Sequence, residues 1–301
     1  MYKINPSFCE RLIKFILILG MILAFILVQS SCNRNNKTQS ALDNCIDGSS
    51  KEIAKGVASK IVFCDGFENK FNMGWNPEVS KNPLATTISK NHWKSGKESL
   101  RVELNKTDKE VSSSKRAELS LSCEKAREEN WYSISIYLPN DSEEDYVEDS
   151  DSEEILMQWH NLPDRGEEWT SPPLALLTKG KDWVLNRFWD AEKISSNKTI
   201  KEKGDFASYP LGSYKKDKGK WVDWKFHIKW GFLPSQNPKL EVFKNGLEIL
   251  NLNGLANTTN DIHGNYLKIG IYKWEWAEPN TVSVISKRVV YYDDVKIENV
   301  P

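Results

Sequence analysis

Three short stretches of this chain place polar residues two or four positions apart, with apolar residues between them. The pairs are Arg116 with Glu118, Gln158 with His160, and Lys268 with Tyr272. Successive side chains of a β-strand point to opposite faces, so each pair shares one face if its stretch is a strand. Imidazole and phenol groups can transfer protons, while Arg, Gln and Lys can donate hydrogen bonds to a developing negative charge. These residue types therefore indicate proton-transfer chemistry on an anionic substrate.

The segments that must position these pairs have the alternation of strands. The stretch from Tyr266 to Trp276 alternates strictly, with Leu267, Ile269 and Ile271 on one face. Tyr266, Lys268, Tyr272, Trp274 and Trp276 share the other face. A row of outward aromatic residues is typical of a recognition surface. We therefore expect one strand from 266 to 276, with an apolar face in the core and a binding face outside it.

Other alternating runs predict an all-β fold. They cover residues 61–64, 99–104, 115–121, 131–138, 155–159, 221–230 and 289–297. Asn245-Gly246 lies between two further alternating runs and predicts a hairpin. No long capped helical pattern is found, so helices should be short and few. We predict one domain over residues 60–301, a jelly-roll sandwich of two antiparallel sheets.

The amino terminus has the layout of a secretory signal. Arg11 and Lys14 precede an apolar run of 14 residues, Phe15 to Val28, and small residues then lead to Cys32. A membrane span needs about 20 apolar residues, which favours a cleaved signal over a retained helix. A cysteine at the cleavage point resembles a bacterial lipoprotein signal. This predicts a signal over residues 1–32, lipidation of Cys32, a polar tether over 33–59 and an exported, membrane-anchored protein in the periplasm or at the cell surface.

Charge and cysteine content restrict the partners. Nine acidic residues lie between Asp141 and Glu154, and the remainder of the exported chain is net positive, which suits an anionic polymer. No Cys or His spacing indicates zinc. Cys45, Cys64 and Cys123 would remain after export, and one disulfide among them is expected with its pairing left open. We expect a monomer with no nucleic-acid partner.

The three motifs together resemble those of a known family. Arg116-Ala-Glu-Leu119, Gln158-Trp-His160 and Tyr266-Leu-Lys-Ile-Gly-Ile-Tyr272 are similar to the sheet motifs of jelly-roll polysaccharide lyases, which include alginate, glucuronan and heparin lyases. The heparin-lyase-I-like branch looks most similar. Residues 65–68 and 292–295 resemble the first and last strands of these concanavalin-like folds. The resemblance spans about residues 60–300.

The resemblance implies β-elimination on a polysaccharide that contains uronic acid. Arg116, Gln158 and Lys268 would offset the negative charge of the carboxylate, so that a base can remove the C5 proton. His160 and Tyr272 are the candidate base and acid, and the sequence leaves open which of them removes the proton. Arg116 could instead form an exposed ion pair, and a histidine beside a tryptophan is more often packed than catalytic.

Further residues are candidates for substrate or metal binding. The substrate-binding candidates are Glu118, Asn186, Arg187, Trp189, Trp274 and Trp276. Trp274 and Trp276 can equally be core residues at a sheet edge. No cofactor is expected to be required, although Glu68 and Asp293 could hold a structural calcium ion that fixes the two ends of the domain, as happens in related sandwiches.

Two other functions compete with a lyase. A glycoside hydrolase on the same sandwich needs two carboxylates across the groove, and Glu118 with Glu275 is an unconvincing pair because Glu275 points away from Tyr272. A non-catalytic glycan-binding surface lipoprotein would keep the aromatic residues, but it would not need Gln158, His160 and Tyr272 together.

Overall fold

The computed structural model describes residues 60–149 and 152–300, which are built almost entirely from strands. The predicted signal and tether, residues 1–59, lie outside the described residues. The strands are β1 (Lys60–Asp65), β2 (Asn76–Val79), β3 (Thr86–Ser89), β4 (Ser99–Asn105), β5 (Arg116–Ser120), β6 (Glu129–Tyr137), β7 (Glu153–His160), β8 (Leu174–Lys179), β9 (Asp182–Phe188), β10 (Phe206–Ser213), β11 (Trp221–Lys229), β12 (Lys239–Lys244), β13 (Leu247–Asn251), β14 (Tyr266–Tyr272) and β15 (Lys287–Asn299).

These strands form two antiparallel sheets, as the sequence predicts. The first sheet has the order β13-β12-β11-β6-β15-β4-β3, and β1 also pairs with β15. The second has the order β10-β9-β8-β7-β14-β5-β2. Neighbours in the sheets are often distant in sequence, as expected for a jelly roll.

Helices are short in the described part of the chain. The α-helix α1 (Asn197–Lys203) has 7 residues and begins after Ser196, whose side chain accepts a hydrogen bond from the Thr199 amide. Three 3-10 turns cover Tyr214–Lys216, Pro234–Gln236 and Trp274–Ala277. None of the described helices has the length and apolar character needed to cross a bilayer.

The core lies between the two sheets. Large apolar side chains from both inner faces form one cluster, with Trp159 and Ile269 from the second sheet and Trp224, Phe226 and Tyr292 from the first. The apolar residues that alternate with the predicted polar pairs all belong to this cluster, so the pairs themselves face outward. They are Ala117 and Leu119 of β5, Met157 and Trp159 of β7, and Leu267, Ile269 and Ile271 of β14. We call the outward side of the second sheet, defined by Arg116, Gln158, His160, Lys268 and Tyr272, the polar face.

Other sequence predictions can be compared directly. Asn245 and Gly246 form the predicted hairpin turn with φ of 51° and 79°, the left-handed values that a two-residue turn of this kind requires. Cys64 and Cys123 are both disulfide-bonded, whereas Cys45 lies outside the described residues. The single strand predicted from 266 to 276 is wrong beyond Tyr272, because a 3-10 turn begins at Trp274.

Two β-bulges determine which side chains reach the polar face. In the first, Leu156 is an extra residue of β7 relative to β8. In the second, two residues of β14, Gly270 and Ile271, lie opposite the single residue Leu156 of β7. Leu156 and Met157 therefore both enter the core, while Ile155 returns to the polar face opposite Tyr272. An extra residue in a strand shifts the inward and outward alternation of side chains by one position beyond the bulge.

Gly270 is a position that only glycine can occupy. Its φ is 135°, and a Cβ atom there would lie 2.2 Å from the carbonyl oxygen of Ala117 on β5. Both the backbone conformation and the close approach of β5 exclude a side chain. The close pairing of β14 with β5 therefore requires glycine at position 270.

We predict that Gly270→Ala destabilises the fold by about 3 kcal/mol or more, because strain and overpacking add. Gly212→Ala is the matched control. Gly212 also has a positive φ, 89°, but nothing lies within 4 Å of a Cβ added there. Chemical unfolding of both variants measures the difference, and equal losses would show that contact with β5 is not what requires glycine.

Candidate functional site

Strand β14 lies between β7 and β5 and brings the three predicted pairs together. On one side Lys268 is opposite Gln158, and Tyr266 is opposite His160. On its other side, Tyr272 pairs with Arg116. The register therefore places all three motifs on adjacent strands of the polar face, as the sequence predicts.

The polar face is recessed even though it lies outside the core. Gln158 is 1% exposed, Lys268 3% and Glu118 1%. Charged and amide groups are rarely buried to this extent unless they are paired or serve a binding site.

Two cations and two carboxylates form an ion cluster in this recess. Lys268 Nζ lies 2.7 Å from Glu78 Oε2, and Arg116 Nη1 lies 3.3 Å from the same oxygen. Arg116 Nη1 is also 3.4 Å from Glu118 Oε2. Burial opposes ionisation of Glu78, but Lys268 and Arg116 outweigh it and lower its pKa. Burial raises the pKa of Glu118. The two cations thus face two carboxylates, of which Glu78 is the more readily ionised.

Glu118 positions the amide of Gln158. Gln158 Nε2 donates a short hydrogen bond to Glu118 Oε1. Gln158 Oε1 and Arg116 Nε are buried and have no hydrogen-bond partner among the described residues. Buried polar atoms are nearly always satisfied in folded proteins. Two unsatisfied atoms at the floor of one recess indicate groups prepared for a ligand.

His160 is a neutral imidazole with one nitrogen available as a base. Its Nδ1 lies 2.9 Å from the carbonyl oxygen of Asn161. A carbonyl only accepts hydrogen bonds, so Nδ1 carries the proton and Nε2 keeps its lone pair. Burial, together with the positive charges of Lys268 and Arg116, lowers the pKa of His160 to about 3. The residue is therefore uncharged at neutral pH and can accept a proton.

Two tyrosines flank this histidine and the cation cluster. The Tyr266 ring stacks on His160 with centroids 5.9 Å apart, and burial raises the pKa of Tyr266 to about 12. Arg116 lies over the Tyr272 ring, 4.3 Å from its centroid. Tyr272 is more exposed than Tyr266, which is 4% exposed. Tyr272 is therefore better placed to contact a bound polymer.

The residues proposed for substrate binding do not all reach this face. Asn186 does, since it pairs with Ala175 of β8, which itself pairs with Gln158. Trp274 packs beside Tyr272 on a small apolar cluster at the end of the recess. Trp276 is buried in the core, and its indole donates to Ser283 Oγ, because the 3-10 turn ends the alternation assumed for this segment.

Arg187 and Trp189 belong to a different part of the molecule. Arg187 follows Asn186 in β9 and therefore points to the opposite side of the sheet. It donates to the carbonyl oxygen of Ala256 and stacks on Trp189, 4.0 Å from the ring centroid. Both line a separate cavity of about 450 Å³ rather than the polar face.

The two residues predicted to bind calcium have other partners. Glu68 Oε1 accepts the amides of Lys97 and Glu98. Both oxygens of Asp293 accept main-chain amides, and burial raises the pKa of Asp293 to about 7. These contacts tie loops together and do not support the predicted calcium site.

Another group of acidic residues can hold a cation. Oxygens of Asp164, Glu167 and Asp261 lie within 4.8 Å of one another. Burial and the neighbouring Glu167 raise the pKa of Asp261 to about 7. Its Oδ2 accepts from Asn161, the residue after His160, so this group lies beside the catalytic histidine candidate.

Sequence reasoning missed two residues of the recess. Glu78 lies on β2, a four-residue edge strand that contains a proline and has too little alternation to be recognised. For Tyr266 the sequence predicts the correct face but no role in the site. Its cross-strand neighbour on β7, His160, is predicted to belong to the site.

The sequence matches a known family model, and the fold is similar to that of solved structures. The polysaccharide lyase family model matches residues 67–296. Among solved structures, an endo-β-1,4-glucuronan lyase from the fungus Trichoderma reesei superposes with a TM-score of 0.64 at 17% identity, covering 80% of this chain and 96% of that one. Alginate lyase A1-II' superposes with a TM-score of 0.50 at 10% identity, covering 75% and 93%. No curated protein matches the sequence.

At these identities the structural likeness establishes the fold, a jelly-roll sandwich. The family match spans most of the chain and includes all three motifs of the polar face, which decides between the competing functions. The protein is an enzyme and belongs to the polysaccharide lyase family.

Proposed function

We propose that the protein cleaves a uronic-acid-containing polysaccharide by β-elimination at the polar face and releases unsaturated oligosaccharides. The observation that carries this proposal is the neutral His160, whose free Nε2 lies on the same face as two cations and two tyrosine hydroxyls. β-Elimination needs a base, an acid and a group that offsets the carboxylate charge.

The substrate carboxylate would bind above the ion cluster. Arg116 Nε offers a buried N–H that has no partner within the described part of the chain, and Lys268 supplies a positive charge 2.7 Å from Glu78. Gln158 can donate its second amide hydrogen, because only one is used by Glu118. These donors stabilise the extra negative charge that develops on the carboxylate as the C5 proton leaves.

His160 then serves as the base and Tyr272 as the acid. Neutral His160 can accept the C5 proton at Nε2, whereas a protonated phenol can give its proton to the departing O4. Imidazolium is disfavoured beside Lys268 and Arg116 in the free enzyme. A bound carboxylate offsets those charges and raises the proton affinity of His160, so the base becomes effective when substrate is present.

The charge balance of the recess favours an unsulfated polymer. Among the described residues, both cations of the ion cluster are already paired with Glu78 or Glu118. Little positive charge remains there for sulfate groups. Glucuronan or alginate therefore fits this face better than heparin or heparan sulfate, the substrates of the branch that the sequence motifs most resemble.

We predict that the purified domain generates the ultraviolet absorbance of a C4=C5 double bond conjugated with a carboxylate on at least one polymer of a uronate panel. The panel consists of glucuronan, alginate, heparin and heparan sulfate. His160→Ala and Tyr272→Phe should each reduce kcat by about 10²- to 10⁴-fold, the usual contribution of a general acid or base.

His92→Ala and Tyr137→Phe are the matched controls, because Tyr137 belongs to β6 of the first sheet and the His92 ring stacks on it. They should keep full activity. Reducing ends released without the absorbance would indicate hydrolysis and contradict the proposal, as would full activity in both polar-face variants.

We predict that kcat/KM shows no acid limb near pH 6.5, the ordinary pKa of histidine. His160 stays neutral down to about 3 in the free enzyme, so lowering the pH to about 5 should not protonate it. Nitrogen-15 NMR of the free enzyme should show His160 as the Nδ1-protonated tautomer over this range. A limb near pH 6.5 that disappears in His160→Ala would contradict the assignment.

We also infer that the chain is exported and held at a membrane by lipid on Cys32, which supports a role in degrading polysaccharide outside the cytoplasm. The support is the order of charged, apolar and small residues before Cys32.

Expression of the full chain in a bacterial host tests the anchor. Cys32→Ser should move the protein from the membrane fraction to the soluble fraction and abolish labelling by a fatty-acid probe. Cys45→Ser, which changes a cysteine beyond the predicted cleavage point, should leave both unchanged. Membrane association that persists in Cys32→Ser without label would show a different form of attachment.

A further inference from the structure

A second candidate site lies on the opposite side of β9 from the polar face. It is a cavity of about 450 Å³ between the end of β9, helix α1 and the loops around residues 232 and 255. Ligand pockets usually measure about 300–1,000 Å³, so the cavity is large enough for a small ligand. The mechanism proposed above uses none of its residues.

One oxygen of a buried carboxylate in this cavity has no hydrogen-bond partner among the described residues. Asp190 is 1% exposed, and its Oδ1 accepts from the Glu192 amide at 3.1 Å and from Lys203 Nζ at 3.3 Å. Its Oδ2 is buried without any hydrogen-bond partner among the described residues. Carboxylate oxygens in protein interiors normally accept a hydrogen bond, so Oδ2 indicates a missing donor such as a hydroxyl group.

The cations of the cavity are already engaged. Lys203 is shared between Asp190 and Glu192, which lies 3.0 Å from its Nζ. Arg187 donates to the Ala256 carbonyl and to the Tyr209 hydroxyl. With Asp205, the cavity has three carboxylates and two cations. This balance disfavours an anion such as the uronate that the polar face is suited to bind.

The wall of the cavity is apolar and aromatic. Trp189, Phe232, Leu233 and Leu255 line it, and Leu233 and Leu255 are 39% and 44% exposed. Trp189 is held in place by the Arg187 guanidinium stacked on its ring. An aromatic wall beside a buried carboxylate acceptor matches a sugar ring, which has apolar C–H faces and a rim of hydroxyl donors.

We propose that this cavity is a binding site for one uncharged sugar ring, separate from the site of cleavage. Trp189 and Leu255 contact the ring face, and Asp190 Oδ2 accepts a hydroxyl hydrogen. Because Asn186 and Arg187 are consecutive residues of β9, the two sites lie on opposite sides of one strand. The cavity would therefore hold a neutral unit of a glycan near the cleavage site without contributing to the chemistry.

Ligand-observed NMR on the purified protein tests this proposal with binding as the readout, independent of lyase activity. The probes are the methyl glycosides of glucose, galactose, mannose and xylose, with glucuronic acid and glucosamine as charged comparisons. At least one neutral glycoside should bind. Trp189→Ala and Leu255→Lys should each weaken its apparent affinity at least tenfold, whereas Tyr272→Phe on the polar face should leave it unchanged.

Leu255→Lys changes an exposed position and so blocks the cavity without disturbing the core. Leu247→Lys is its matched control, since Leu247 is 70% exposed on β13 and does not line the cavity. The proposal is overturned if no neutral glycoside binds, if binding survives both cavity variants, or if glucuronic acid or glucosamine binds there as tightly as the neutral glycosides. A protein that fails to cleave any uronate polymer but passes this test retains the sugar site.

Discussion

The pairing of β14 with β5 and β7 is the constraint on which the polar face depends. Gly270 lets the backbone of β5 approach closely, and the bulge at Leu156 shifts the alternation of β7 so that Ile155 and Gln158 both lie on the polar face. The Tyr292 hydroxyl, from the other sheet, lies 2.8 Å from the carbonyl oxygens of both Leu156 and Gly270. One phenol can donate to either carbonyl, so it supports the irregular backbone where the ladder is interrupted.

This pairing has an electrostatic consequence. It places Arg116 and Lys268 on neighbouring strands, where their like charges repel unless carboxylates lie between them. Glu78 and Glu118 supply those carboxylates. Burial is the main reason that the pKa of His160 is low, and the same cations lower it further, since a third positive charge in the recess is unfavourable. The groups proposed to bind the substrate thus help to maintain the base in its reactive form.

The sequence predicts much of this arrangement because alternation is a local property. The inward residues of β5, β7 and β14 were identified from period two alone, and the structure confirms them in the core. The hairpin at Asn245-Gly246 is also predictable from the sequence, because few residues tolerate left-handed backbone at two consecutive positions. The prediction failed where local pattern and tertiary structure disagree. Alternation through Trp274 and Trp276 predicts that the strand continues. Instead, a 3-10 turn begins at Trp274 and places the Trp276 side chain in the core.

By itself, the sequence determined which side chains of β5, β7 and β14 share a face with the candidate catalytic residues, since the direction of a strand residue follows from its position in the alternation. Only the tertiary structure decided their protonation and their partners. Glu78 comes from an edge strand about 190 residues away from Lys268 in sequence, and no local pattern connects them. The low pKa of His160 arises from burial and from charges on other strands. The cavity that Arg187 and Trp189 line likewise depends on packing between segments that are distant in sequence.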